Sequence, residues 1–126
     1  MRAVDTDVIV RLMTRDDPRQ TASAEAFISQ GAWVSTLALA EAIWVLGVLY
    51  KKSSAQVAST IEMLLNHRHL VVQDSDTVAA ALELFRSRPA LGFAECLMLE
   101  VARKAGHLPL GTFDRSLGKM AGAFKI

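Results

Sequence analysis

Five carboxylates stand where short apolar runs end or where helices begin. Asp5 and Asp7 lie in the opening "MRAVDTDVIV", Glu41 interrupts "LALAEAIWVLG", Glu95 lies in "GFAECL" and Asp114 in "GTFDRS". Carboxylates so placed hold a hard divalent cation, act as a nucleophile with an acid partner, or cap the following helix. Mg²⁺ or Mn²⁺ held by several of them keeps waters of its own, lowers the pKa of one and neutralises a phosphate under attack. That is the chemistry of phosphodiester hydrolysis.

Each acid also has a plainer reading. Asp7, before an apolar helix, reads as an N-cap. Glu95, close to a helix N-terminus, is favoured there by the macrodipole. Asp114 reads as the cap of a short last helix. Asp5 directly follows a strand, and Glu41 lies between Ala40 and Ala42 in a nearly charge-free stretch, so neither is explained so readily. A lone acid buried in an apolar helix is expensive unless a cation or hydrogen bond meets it. Glu41 and Glu95 are both expected in that position, and one shared divalent ion would satisfy them together.

The elements that must carry these acids alternate between strand and helix. Residues 1–4 read as a buried strand, and 8–13 as the start of a first helix. Asp16-Asp17-Pro18 reads as a turn with Pro opening the next helix, 21–29, which Gly31 stops. Residues 33–35 form strand two and 37–50 a largely buried helix. Ser53-Ser54 cap a helix reaching about residue 66. Residues 70–73 form strand three, 75–87 and 93–104 two helices, and Gly106 a C-cap. Strand four covers 108–112; a short helix and a fifth strand, 123–126, complete the chain. The class is α/β, with a mostly parallel sheet of four to five strands and helices on both faces. Ligands in such sheets bind beyond the carboxyl ends of the strands, where Asp5, Asp7 and Asp114 fall.

The bulk properties narrow the rest. The 126 residues imply one domain, 1–126, and a hydrophobic fraction of 52% leaves little room for disorder. A net charge of +1, from 14 Lys and Arg against 13 Asp and Glu, gives no global push toward nucleic acid or membrane. The lone Cys96 reads as a small buried hydrophobe in a reducing compartment, and no signal-peptide pattern opens the chain, so a cytoplasmic location is expected. Residues 33–50 are almost apolar enough for a membrane span. Glu41 in their middle would cost about 2.5 kcal/mol or more at bilayer depth, and a strand followed by a helix explains the same residues. His67 and His69 in "NHRHL" lack the partners a zinc site needs.

Three families open in a comparable way. "DTDVIV" resembles the Asp-x-Asp motif of haloacid dehalogenase phosphatases, but their downstream Lys and late Gly-Asp-x-x-x-Asp pair are absent. Response-regulator receivers share the early acids, with Asp74 or Asp76 as acceptor, yet the Lys-Pro they carry after strand five is missing. A third resemblance covers nearly the whole chain. "AVDTDVIVRLMTRDDPRQ", "VSTLALAEAIWVLGVLY", "GFAECLMLEVARKAG" and "LPLGTFDRSLGKMAG" are similar, in order and spacing, to a PIN domain of the VapC toxin type.

That resemblance implies a PIN-like three-layer sandwich and a ribonuclease dependent on Mg²⁺ or Mn²⁺. It further implies an RNA substrate, a VapB-type antitoxin partner, a homodimer and no membrane attachment. It maps metal-binding and catalytic roles onto Asp5, Glu41, Glu95 and Asp114, with Thr6 and Thr112 holding the metal's waters. Arg115 is the first choice for a substrate contact, ahead of Arg11, Arg15, Arg19, Lys51 and Lys52. The family block usually reads Asp-Phe-Ala-Asp where this chain has Gly92-Phe93-Ala94-Glu95, and Asp7 replaces the commoner Asn or Ser and is a candidate extra ligand. The competing class is a non-catalytic PIN-like domain that binds RNA or protein through a degraded metal site. The dehalogenase-type phosphatase stands third.

Overall fold

Apolar triplets flanked by capping residues set the architecture. The computed structural model describes residues 1–126. In chain order the elements are β1 (Arg2–Ala3), α1 (Thr6–Thr14), α2 (Pro18–Ile28), β2 (Ala32–Val34), α3 (Thr36–Val48) and α4 (Ser54–Leu65). There follow β3 (Leu70–Val72), α5 (Ser75–Ser87), α6 (Phe93–Ala105), β4 (Leu110–Thr112), a 3₁₀ turn (Leu117–Lys119) and β5 (Ala123–Lys125). The class is α/β with every strand pair parallel, as expected, but the strands do not form one sheet. They divide into a three-stranded sheet, β1-β2-β3, and a two-stranded sheet, β4-β5.

The chain divides into two compact units, Met1–Ser75 and Asp76–Ile126. In the first, Trp33 pairs with Ala3 on one side and Val71 on the other. β1 is therefore an edge strand; Arg2 and Ala3 are exposed, and only Val4 of the opening run is buried. Backbone bonds from Val4 N to Trp33 O (3.1 Å) and from Gln73 N to Val34 O (2.8 Å) carry the ladder to its carboxyl edge. Asp5, Ser35 and Gln73 therefore leave the sheet at one level. Ile9, Ile28, Val34, Leu39, Ile61 and Leu64 are fully buried and form the center of the packing.

Side-chain caps start the helices of this unit. Asp17 accepts from Gln20 N (3.1 Å), Ser35 from Ala38 N (3.0 Å), and Ser53 shares a reciprocal capping box with Gln56. Where α1 ends, Asp16 accepts from Arg11 (2.6 Å), Thr14 Oγ1 (2.8 Å) and Tyr50 Oη (3.0 Å), joining the turn to the end of α3. These bonds, led by that of Thr14, lower its pKa from 3.8 to about 2. A depressed carboxylate stabilises the fold above its unfolded value, and that contribution is lost as pH falls from about 3.8 toward 2. Asp16→Asn is accordingly expected to flatten the acid limb of stability in this window, read as the urea midpoint against pH. An acid limb as steep as the wild type's would contradict the assignment.

In the second unit, Val78, Ala81, Leu82 and Phe85 of α5 and Phe93, Cys96, Leu97 and Leu99 of α6 are buried. Phe85 and Phe93 meet edge to face with centroids 6.1 Å apart. Burial pushes the Cys96 thiol up to about 11, so it is an inert packing group, as read from sequence. The β4-β5 pair rests on the 3₁₀ turn at Gly118, where an added Cβ would lie 2.8 Å from Lys125 Cβ. That neighbour is the root of a strand side chain and cannot swing away. Gly118→Ala is expected to destabilise by about 1–3 kcal/mol, seen as a lower urea midpoint; an unchanged midpoint would mean that β5 shifts freely.

Candidate active site

Asp5 stands at the carboxyl edge of the three-stranded sheet and caps α1, its Oδ1 2.6 Å from Thr6 N. The cap read onto Asp7 therefore belongs to Asp5. The helix begins directly after the strand, with Thr6 already in its first turn, so Asp7 is a first-turn acid and not the cap. Asp7 is exposed and lines a shallow groove with Arg11, Gln20 and Phe27. Thr6 is buried.

Glu41 corrects the expectation of a buried acid. α3 buries Ala38, Leu39, Ala42, Ile43 and Leu46, while its other face leaves Leu37, Trp44 and Val48 more than half exposed. Glu41 lies on that open face and is itself exposed. An all-round apolar helix need not be enclosed, and no desolvation penalty demands a cation for Glu41. The start of α3 is fixed by Gln73, whose Oε1 accepts from Thr36 N (2.9 Å) and from the Thr36 hydroxyl (3.2 Å). This positioning residue was not singled out from sequence; its signal is a polar amide directly after the apolar run "LVV".

In the second unit, Glu95 lies in the first turn of α6 and is half-buried. Gly92 occupies the N-cap without a side-chain bond, at an ordinary extended backbone (φ −69°, ψ 152°). The space a Cβ there would fill is overhung by Glu95, whose Oε1 stands 3.4 Å from that position. Asp114 follows β4. Its backbone N–H donates to Thr112 Oγ1 (3.0 Å) and its Oδ1 accepts from Leu117 N (2.7 Å). Ser116, not Asp114, holds the N-cap position of the 3₁₀ turn; Asp114 instead accepts from the turn's first residue, and the Thr112 hydroxyl helps to fix the loop. Arg115 is exposed and forms no ion pair.

Two of the cations weighed as phosphate contacts are engaged elsewhere: Arg11 with Asp16 at 2.6 Å and Arg15 with Glu25 at 3.2 Å. His67 and His69 face each other with ring centroids 5.8 Å apart, and His67 Nδ1 accepts from His69 N at 3.1 Å. That bond occupies one ring nitrogen of His67, which speaks against a zinc role. Within each unit, no three His, Cys, Asp or Glu side chains are gathered closely enough to hold an ion. No helix is long and apolar enough to cross a membrane, and the 33–50 stretch resolves into β2 and the 13-residue α3.

No curated protein and no solved structure matches the chain significantly. The PIN domain family matches over residues 2–123, nearly the full length and all five candidate acids. The α/β arrangement of parallel strands and six helices is consistent with the sandwich of that family, a nuclease-type fold whose members usually bind divalent metals and cleave RNA. On these grounds the chain belongs to the PIN domain family.

Proposed function

We propose that this protein is a metal-dependent endoribonuclease of the VapC type, the toxin of a toxin–antitoxin pair, built as a single domain over residues 1–126. One observation carries the reading beyond family membership. Asp5 stands at the carboxyl edge of the three-stranded sheet and Asp114 just past the end of β4, where ligands of such sheets bind. Oxygen-only donors of this kind suit Mg²⁺ or Mn²⁺. Such an ion, when bound, lowers the pKa of a water and neutralises phosphate charge. Asp5, Glu41, Glu95 and Asp114 would hold it, with Asp7 as a further candidate. Bonds from backbone N–H groups orient Asp5 and Asp114, Thr6 and Thr112 flank them, and Arg115 contacts the RNA backbone.

The exposed apolar residues Leu37, Trp44, Val48 and Leu49 around α3 support association with protein, the antitoxin or a second copy. A second functional reading, a non-catalytic PIN-like domain that binds RNA or protein, is favoured by the missing acid at Gly92. Purified protein incubated with a tRNA and rRNA pool distinguishes the two. Cleavage in Mn²⁺ or Mg²⁺ that EDTA abolishes is the expected result. Folded protein that neither cleaves nor binds millimolar Mn²⁺ would favour the non-catalytic reading.

A further inference from the structure

The first unit holds a concavity at the amino-terminal end of its three-stranded sheet, the end opposite Asp5. Arg15 follows the last turn of α1, Ser29 closes α2, and His67, Arg68 and His69 lead from α4 into β3. Parallel strands bring these connections to one end, and Ala32 N donating to His69 O (2.8 Å) ties two of them together. They border a pocket of about 580 Å³, within the roughly 300–1,000 Å³ that small-molecule sites span.

The wall of this pocket is apolar and adaptable. Leu12 and Ile28 are buried behind it, Met13 is half-buried, and Met63, on the last turn of α4, is 59% exposed. Unbranched thioethers fit irregular shapes and make favourable contacts with aromatic rings. Met13 and Met63 therefore suit a flat aromatic body better than a branched one.

The rim is rich in donors and poor in free acceptors. Glu25 is already matched by Arg15 at 3.2 Å, whereas Arg68 forms no ion pair. His67 Nδ1 accepts from His69 N at 3.1 Å, which leaves the ring hydrogen on Nε2. Partial burial, with His69 and Arg68 nearby, holds the His67 imidazole below its ordinary pKa of 6.5, so at neutral pH the ring donates without carrying a charge. One permanent cation without an acid partner, beside a neutral N–H, matches a monoanion. A phosphate dianion would bring a second negative charge close to Glu25 with nothing to meet it.

We propose that this pocket binds an aromatic monocarboxylate, its ring between Met13 and Met63 and its carboxylate on the Arg68 guanidinium and the His67 N–H. The site shares no residue with the candidate acids and stands whether or not the chain cleaves RNA.

Equilibrium dialysis of the full chain against naphthoate tests this, with EDTA present so that no metal holds the carboxylate. Retention with a Kd of about 0.1 mM is expected. Naphthamide, the neutral isostere, binds about tenfold more weakly. Arg68→Gln erases that preference for the acid, Arg68→Lys keeps part of it, and Met63→Ala weakens both ligands severalfold. Arg68 and Met63 are exposed, so these variants keep the wild-type urea midpoint. Asp5→Asn, at the other end of the sheet, binds naphthoate like the wild type. Equal affinity for acid and amide, a preference that survives Arg68→Gln, or no retention at millimolar naphthoate overturns the proposal. So does loss of binding in Asp5→Asn, which would put the ligand among the acids instead.

Discussion

Asp5→Asn and Asp114→Asn are each expected to lower metal-dependent RNA cleavage by on the order of a hundredfold or more, with little change in stability. The two residues have dual duties that this substitution separates. Asp5 caps α1 through Thr6 N, and Asp114 accepts from Leu117 N. Asn caps a helix about as well as Asp, so the local fold survives the change. What is lost is the negative charge, and charge is what a ligand contributes to a divalent ion. A metal's contribution to charge stabilisation in the transition state is several kcal/mol, and each factor of ten is about 1.36 kcal/mol.

Asp5→Ala supplies the contrast, since it removes cap and charge together and adds a stability loss of about 1 kcal/mol. Cleavage rates measured beside urea midpoints for Asn and Ala variants therefore assign each effect. Asn variants that cleave like wild type would leave Asp5 and Asp114 as acceptors of backbone N–H groups only. Asn variants that lose cleavage at an unchanged midpoint place both residues in the reaction.

Local signals in the sequence carried the helices well and the sheet poorly. Ser53 and Gly106 mark helix ends by bonds made within a few residues, so these ends are visible without the fold, whereas Ser35, which reads as the last residue of strand two, is the N-cap of α3. Strand pairing is non-local, and triplets such as Leu110–Thr112 carry no signal that tells which partner they take. A single sheet was therefore expected where two are found, and β1 was expected buried where it is an edge. The exchange of roles between Asp5 and Asp7 has a simple origin. A helix that starts with no intervening loop moves its cap back onto the strand's first follower. Apolar composition reports hydrophobicity, not enclosure, so Glu41 reads as buried from its neighbours although it is exposed. A helix such as α3 with an open apolar face reads like a buried one. The acids at Glu95 and Asp114 were legible as candidates because their offsets from a helix start and a strand end are short-range features.

Glu95 and Gly92 provide the sharpest remaining prediction, because they act as a pair. The Gly92 backbone is extended, so nothing in its conformation requires glycine. Its missing side chain instead leaves room that the longer Glu95 overhangs, with Oε1 3.4 Å from the absent Cβ. Glu95→Asp withdraws the carboxylate by one methylene, about 1.5 Å, and is expected to weaken Mn²⁺ binding about tenfold or more. Gly92→Asp alone sets a second carboxylate against the first. In metal-free protein that repulsion offsets the gain from a new N-cap, so stability stays near wild type. The double variant, Gly92→Asp with Glu95→Asp, returns a carboxylate to each position at the shorter length and is expected to recover Mn²⁺ affinity to the wild-type level or above. Titration calorimetry with Mn²⁺ on all four proteins reads the coupling without reference to turnover. Recovery in the double variant means that Glu95 reaches across the space left at Gly92 to do a shortened pair's work. Strictly additive losses mean that Glu95 answers only to the dipole of α6, and the metal, if held, is held by the other acids.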